Sequence, residues 1–484
     1  MFNRLFDALR GRGARAQAPV APAFSSAPSS SASSAALPVS GPASSPSPHP
    51  DLPLDRLRAQ LEQGEAVAAC TELHELANRH PDDPDVLSLY GWALFDVSAI
   101  EQARSVLAAA LSLRPDHPEA LNTMGAMAAE LDDPLDAVGW FEDALDAAPG
   151  NPAAQYNLSQ VLFLAGQYRR GFDLLRARRL LFFGRPNPLD PLPMWQGESL
   201  EGKHVFVWCD WGGLGDHLQF IRYIPLLAQR AKPARISLGS SEAFEHLFQR
   251  VESAAGWVRP GHPPYADLHC PLLDLPYYFG TDLDSVPAHT PYLSADADEA
   301  ARWGAQLEGA GLGRDQLRVG LAWKSTGPDH EAPIYKRMRL SKSLPEPLLA
   351  ALNAAKARFV SVQVGASGYE TAATGLRLFD CSGGLRSFSD TAAVIANLDL
   401  VISADTSVAH LAGAMGKPVL LLLRKESGMF WLHGRDDSPW YPNMRILRQD
   451  TSGDWAPVLE QVAHWLDVAA REGAQAVIPR KAGA

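Results

Sequence analysis

Two textures divide the chain. Between about residues 60 and 180, apolar and small positions return at helical spacing; beyond about residue 200, short apolar runs alternate with helix-like segments. In the first stretch Pro81, Pro115 and Pro149 stand 34 residues apart, as do Gly91 and Gly125, Ala103 and Ala137, and Ala110 and Ala144, while Leu107 matches Phe141. A glycine at that position fits where two helices of a hairpin pass closely, because a side chain would hold them apart. The alanines do the same on the second helix, and each proline ends it. Units are expected at about 84–117 and 118–151. A degenerate unit precedes them, with Ala69, Leu73 and Pro81 in phase, and another follows, with Leu158, Leu162 and Leu175 in phase and Ser159 and Gly171 at small positions. In the second stretch Lys203–Trp208, Arg235–Leu238, Arg318–Trp323, Phe359–Val364, Leu398–Ile402 and Val419–Leu423 read as strands. Their alternation with helices predicts doubly wound parallel sheets in two lobes, at about 200–300 and 315–450, with a cleft between them.

Composition adds boundaries to this picture. Residues 17–50 are almost all Ala, Pro and Ser, too poor in apolar area to offset their ordering entropy, and are expected to be disordered. Residues 1–15 carry four arginines and one acid, with Phe2, Leu5, Phe6 and Leu9 at helical spacing. That pattern fits a frayed terminus or a weak contact with an anionic membrane surface or a partner, and lacks the apolar core of a signal peptide. No run of about 18 apolar residues predicts a membrane-spanning helix. The formal charge of −12 speaks against nucleic acid as a general partner. Cys70, Cys209, Cys270 and Cys381 are far apart and show no CxxC spacing, against a disulfide framework or a zinc or iron–sulfur site; the cytoplasm is the expected compartment.

In doubly wound folds ligands bind outside the carboxyl ends of the strands, and two loops there carry candidate chemistry. Gly212-Gly213-Leu214-Gly215-Asp216 follows the strand ending at Trp208. Its glycines allow a ligand close to the backbone, and Asp216, at a helix start, either caps that helix or takes the proton of an acceptor hydroxyl. The second loop, Ser403-Ala404-Asp405-Thr406-Ser407, leads from a strand into a helix rich in small residues that contains His410. A helix start offers free N–H groups and a positive dipole end, a seat for a diphosphate, and Thr406 and Ser407 add hydroxyls. Capping by Asp405 and an internally satisfied His410 fit the same residues.

The 34-residue pattern resembles the tetratricopeptide repeat. Together the two loops resemble the ADP-heptose-type glycosyltransferases of the GT-B fold, in the branch carrying such repeats ahead of the catalytic region. The resemblance spans roughly residues 60–475. It includes Pro193-Met194-Trp195-Gln196-Gly197, Arg222-Tyr223-Ile224-Pro225, Val319-Gly320-Leu321-Ala322-Trp323 and Asp437-Ser438-Pro439-Trp440-Tyr441-Pro442. Ser407 departs from the glycine common in heptosyltransferases, and Lys324-Ser325 follows Trp323 where relatives often have a small residue and Gly.

The expected fold is multidomain, α and α/β. It comprises a disordered segment at 1–50, an all-α repeat module at 51–184, an acceptor-side GT-B lobe at 185–300, a donor-side lobe at 301–475 and a flexible tail at 476–484. The resemblance implies a metal-independent inverting transfer from a nucleotide sugar, which is a substrate, with no cofactor. Asp216 would be the catalytic base. The donor would be held by Gly213, Gly215, Lys324, Arg339, Asp405, Thr406, Ser407, His410 and Arg435, the last from a loop, Trp431–Tyr441, expected over the donor side. Arg339, in the stretch Lys336-Arg337-Met338-Arg339, also fits a solvated basic loop. No Asp-x-Asp motif follows a strand, and Asp282/Asp284 and Asp296/Asp298 read as interdomain loops. A repeat groove suits a protein acceptor such as a flagellin or adhesin, with a lipopolysaccharide or polysaccharide acceptor second; a non-catalytic adaptor with a degenerate GT-B domain is the rival class. On this reading residues 51–184 are separable from donor binding.

Overall fold

The computed structural model describes residues 51–131, 135–210, 212–259, 264–325, 339–364, 368–425 and 428–479. The segments 1–15 and 17–50 and the stretch Lys336–Met338 therefore lie outside the described residues.

Among the described residues, nine helices form the first part: α1 (Leu54–Glu62), α2 (Ala66–Arg79), α3 (Pro84–Asp96), α4 (Ile100–Leu113), α5 (Pro118–Leu131), α6 (Ala137–Ala147), α7 (Pro152–Leu164), α8 (Tyr168–Leu175) and α9 (Arg178–Phe183). They pack as successive hairpins, α3 on α4, α5 on α6 and α7 on α8, consistent with tetratricopeptide-like repeats. A second proline series sets the starts: Pro84, Pro118 and Pro152 are the first residues of α3, α5 and α7, where a missing N–H costs nothing. Asp83 caps α3 by accepting from the Asp85 and Val86 N–H groups, and Asn151 caps α7 from Ala153 and Ala154. The repeated small residues sit at the hairpin contacts. Ala103, Ala110, Ala137 and Ala144 are fully buried, and a Cβ on Gly125 would lie 2.6 Å from the Phe141 ring. Asn122 and Asn157 are also fully buried and joined by a 3.0 Å hydrogen bond.

The first lobe has β1 (His204–Trp208), α10 (Leu214–Phe220), α11 (Tyr223–Ala231), β2 (Arg235–Gly239), α12 (Glu245–Phe248), β3 (Gly256–Val258), β4 (Leu268–Pro271) and α13 (Leu275–Tyr278). Its strands form an all-parallel sheet in the order β3-β2-β1-β4. The second lobe has α14 (Ala297–Gly309), β5 (Leu317–Ala322), β6 (Ala357–Ser361), α15 (Gly368–Ala373), β7 (Leu378–Asp380), α16 (Phe388–Ala396), β8 (Leu400–Ala404), α17 (Ser407–Ala414), β9 (Val419–Leu423), β10 (Met444–Arg448) and α18 (Ala456–Glu472). Its sheet is also parallel, ordered β10-β9-β8-β5-β6-β7. β8 and β9 are buried at every position, as strands covered on both faces must be. This is a GT-B-type pair of α/β lobes behind a helical module.

Two sequence expectations need correction. The tail does not loosen at residue 476: Ala474–Val477 forms a 3₁₀ turn whose Val477 side chain is fully buried and whose carbonyl accepts from Arg445 Nε. Asp296/Asp298 is not a free loop pair, since Asp296 caps α14 and Asp298 lies within that helix. Among the described residues, no helix is long and apolar enough to cross a membrane.

Candidate active site at the seam of the two lobes

Each sheet has a switch point where strand order reverses, between β1 and β4 in the first lobe and between β5 and β8 in the second. A crevice opens at such a point beyond the strand ends. In the second lobe it is framed by Trp323 and Lys324 after β5 and by Asp405 and Thr406 after β8. In the first lobe it is framed by Cys209 and Asp210 after β1 and by Leu272–Asp274 after β4.

The loop after β1 turns at Gly212, whose φ of +104° lies in the region that favours glycine, and enters α10 at Gly213. Asp216 sits in the first turn, and its carboxylate accepts from the Gly213 N–H at 2.7 Å. The loop after β8 enters α17 at Thr406, whose hydroxyl accepts from the Val408 N–H and lies 3.2 Å from that of Ser403; Ser407 is the first helical residue, half-buried. The two helices pack against each other, and the contact is close: a Cβ on Gly215 would lie 2.6 Å from His410 Cδ2 and 3.0 Å from Nε2. The seam is closed, with Asp216 1%, His410 2% and Asp405 4% exposed.

Charge is concentrated there. Lys342 Nζ lies 3.0 Å from Asp405 Oδ2, both side chains buried, and the Trp431 indole N–H donates to Asp405 Oδ1 at 2.9 Å. Burial alone raises the Asp405 carboxyl, but Lys342, His410 and the Trp431 bond outweigh it and hold it below the ordinary carboxylate range. Burial pushes Asp216 up to about 7 against the pull of the Gly213 N–H; the Asp405 charge adds to the rise and Lys342 opposes it. Burial holds His410 down to about 4, so its ring is neutral near pH 7. His410 Nδ1 and the Tyr441 hydroxyl are 3.0 Å apart, while Nε2 has no hydrogen-bond partner among the described residues. Gln219, one helical turn after Gly215, is fully buried with neither amide atom partnered among them. Opposed shifts on neighbouring groups are the pattern of an acid–base site.

The structure thus brings Gly213, Gly215, Asp216, Asp405, Thr406, Ser407 and His410 to one seam. Lys324 borders the same crevice, half-buried, with its ammonium 3.9 Å from Glu346 and its N–H donating to Gln363. Arg339 is half-buried, and its carbonyl accepts from Ser343 Oγ. Arg435 is not at the seam contact. Its guanidinium makes a bidentate pair with Asp437 in its own loop, at 2.6 and 2.7 Å. That loop packs inward rather than spanning the donor side as a whole. Trp431 lies beside His410, with ring centroids 5.0 Å apart, but the Trp440 indole donates to Tyr168 Oη of the repeat module and the His433 N–H to the Leu164 carbonyl. Lys342 is the residue that sequence reading missed. It stands three positions after Arg339, in the same basic stretch, and only the return of that segment to the β8 exit singles it out.

Two facing parallel sheets with motif loops meeting across their switch points define the class as a GT-B-type protein. More narrowly, residues 371–455, which include Asp405 and His410, match glycosyltransferase family 9 (heptosyltransferase). Protein FlbA of Caulobacter vibrioides is 26% identical over 472 residues, covering 85% of this chain and 77% of that protein. The chain is similar to a family 9 glycosyltransferase structure from Veillonella parvula, at 11% identity over 58% of this chain and 99% of that one, with a TM-score of 0.42. It is also similar to a mutant O-GlcNAc transferase from Thermobaculum terrenum, at 14% identity over 88% and 92% of the two chains, with a TM-score of 0.33.

Proposed function

We propose that this chain is a glycosyltransferase that moves a sugar from a nucleotide-sugar donor to a protein hydroxyl, by inversion and without a metal. The observation that carries the reading is the meeting of α10 and α17, which sets a carboxyl with a proton affinity near neutrality beside a buried lysine at a helix start. The donor diphosphate would lie on the Thr406–Ser407 end of α17, where the helix dipole and the Thr406 and Ser407 hydroxyls favour an anion, with Lys342 as the neutralising cation and Lys324 flanking it. Asp405 orients Lys342 and Trp431. Asp216, as carboxylate, takes the proton of the acceptor hydroxyl as its oxygen attacks the anomeric carbon, and the nucleoside diphosphate leaves toward Lys342. Since the seam is closed, the lobes must part to admit substrates and close again over them. The helical hairpins support a protein acceptor, because extended repeat surfaces recognise chains; a lipopolysaccharide or polysaccharide acceptor would leave the same donor chemistry in place.

The closed seam itself favours a second reading, an adaptor whose GT-B lobes no longer turn over. One experiment separates them. Nucleoside diphosphates and nucleotide sugars are screened for a rise in melting temperature, on the wild type, Asp216→Asn and Lys342→Ala. The transferase reading expects a shift in the wild type and in Asp216→Asn, its loss in Lys342→Ala, and donor turnover in the wild type alone. No shift with any nucleotide would overturn it in favour of the adaptor.

A further inference from the structure

We propose that Tyr441, oriented by the buried Arg222, is a positioning residue that keeps the proton of the His410 imidazole on Nε2, so that the ring meets the donor diphosphate as an N–H donor. The inference rests on the donor reading given above and deepens it. Arg222 stands between α10 and α11 and is 4% exposed. Its guanidinium donates to carbonyls of three segments: Nε to Gln219 at 2.8 Å, and Nη1 to Pro287 at 3.1 Å and to Trp440 at 2.6 Å. Nη2 donates to the Tyr292 hydroxyl at 2.8 Å. The guanidinium carbon lies 4.4 Å from the centre of the Tyr292 ring and 4.7 Å from that of Tyr441.

A guanidinium has only donors, and a carbonyl only accepts. Tyr292 therefore accepts from Arg222 and gives its one proton to the Leu218 carbonyl, 2.9 Å away. Among the described residues the Tyr441 hydroxyl has two acceptors within reach of its own proton, the Tyr292 oxygen at 3.4 Å and His410 Nδ1 at 3.0 Å. Nδ1 is nearer and is the stronger base, and the field of the cation bonded to Tyr292 disfavours a proton on that side. Tyr441 thus donates to Nδ1, which is then the bare nitrogen. Burial keeps the ring neutral near pH 7, so its single proton is on Nε2. The ring is held on two sides, with Trp431 and Tyr441 centroids at 5.0 and 5.7 Å. Tyr441 lies in turn against α17 at Gly413, where a Cβ would come within 2.6 Å of it. Nε2 has no partner among the described residues and faces α10 at Gly215, where a Cβ would lie 3.0 Å from it. A buried N–H left unpaired is disfavoured. Parting of the lobes presents it, from the fourth residue of α17, to an anion seated on that helix start. A nitrogen that already carries its proton cannot take one from the acceptor, which leaves that role to Asp216.

The test is nitrogen NMR on the full chain labelled with 15N in its histidines, with His410→Gln to assign the ring signals. Wild type, Tyr441→Phe and Tyr292→Phe are compared, free and with ADP or UDP, and with adenosine or uridine as ligands that lack the phosphates. Expected in the wild type is a protonated Nε2 and a bare, hydrogen-bonded Nδ1. Tyr441→Phe, which keeps the ring against Gly413 and removes the hydroxyl, should mix the two tautomers and bind the nucleoside diphosphate several-fold more weakly. Tyr292→Phe should leave the proton on Nε2. The diphosphate should move the wild-type Nε2 signal, and the nucleoside should not. A proton on Nδ1 in the wild type overturns the proposal, as does an unchanged tautomer in Tyr441→Phe, the result of a merely structural tyrosine. A diphosphate that binds without moving the Nε2 signal overturns the contact with the donor. If neither diphosphate binds the wild type, the donor reading fails on its own, and the tautomers still decide whether Tyr441 positions His410. Should Tyr441→Phe not fold, the wild-type tautomer, its persistence in Tyr292→Phe and its response to the diphosphate decide under the same criteria.

Discussion

Asp216 has a carboxyl that holds its proton far longer than an aspartate in water, and the consequences run through both stability and rate. Its folded-state value of about 7 lies above the ordinary 3.8, so its contribution to stability is fully present below about pH 4. It is lost as pH rises through 7, because the unfolded chain ionises at no such cost. Asp216→Asn removes the buried charge and can still accept from the Gly213 N–H. Its melting temperature is expected to match the wild type below about pH 4, to exceed it increasingly between pH 4 and 7, and to exceed it fully at pH 8, while transfer is lost. The same proton governs the rate: kcat/KM should rise with pH through about 7 as the base ionises, and a pH–rate profile without that limb would remove Asp216 from the base role. Asp216, Asp405 and His410 were legible in the sequence because each belongs to a short motif at a strand end. Lys342 was not, because its significance lies in reaching Asp405 across 63 positions of chain, which no local pattern records.

At the scale of elements the seam depends on how closely α10 and α17 approach. A Cβ on Gly215 would meet the His410 ring at 2.6 Å, and a ring wedged between Trp431 and Tyr441 has little room to retreat. Gly215→Ala is expected to destabilise the protein by about 1–3 kcal/mol, the usual scale for overpacking, and to abolish transfer by holding the lobes apart. Denaturant melts and donor turnover would check both, and full activity in a stable variant would mean that the seam adapts. The longer strands were legible as apolar runs, although observed ends differ by one to three residues, as at Ala357–Ser361 and Leu400–Ala404. Gly256–Val258, Leu268–Pro271, Leu378–Asp380 and Met444–Arg448 were not foreseen. Three of them have only three or four residues, Leu268–Pro271 carries His and Pro, Leu378–Asp380 ends on Asp, and Met444–Arg448 is interrupted by two arginines, so sheet pairing rather than composition makes them strands. The hairpins were legible through Gly91, Gly125 and the alanines, whereas the proline series at the starts of α3, α5 and α7 went unused.

For the molecule as a whole, the repeats are not a detachable module. α9 sends Arg178 and Arg179 into the first lobe's switch point, where Arg178 pairs with Asp210 and Asp274, at 2.8 and 2.7 Å, and Arg179 pairs with Asp274. All four are buried. Phe163, Tyr168 and Phe172 of α7 and α8 interleave with Phe220 of the first lobe and Phe430 and Trp440 of the second. The sequence suggested that residues 51–184 could be deleted with donor binding intact; the structure points the other way, because deletion would strand two buried carboxylates and strip an aromatic core. We expect the truncated chain to lack a cooperative thermal transition, and Arg178→Ala in the full chain to cost about 3–5 kcal/mol, as breaking a buried ion pair does. A truncated chain that melts cooperatively and binds nucleotide would show the modules to be independent. The ion quartet also bears on the order in which the protein is made. Chains emerge from the ribosome amino terminus first and fold domain by domain, so the arginines are in place, on helices built from local contacts, before the aspartates that need them have been translated. The first lobe thus never has to shelter Asp210 and Asp274 alone, and a permuted gene that delivered the repeats last would force it to do so for the whole time of synthesis.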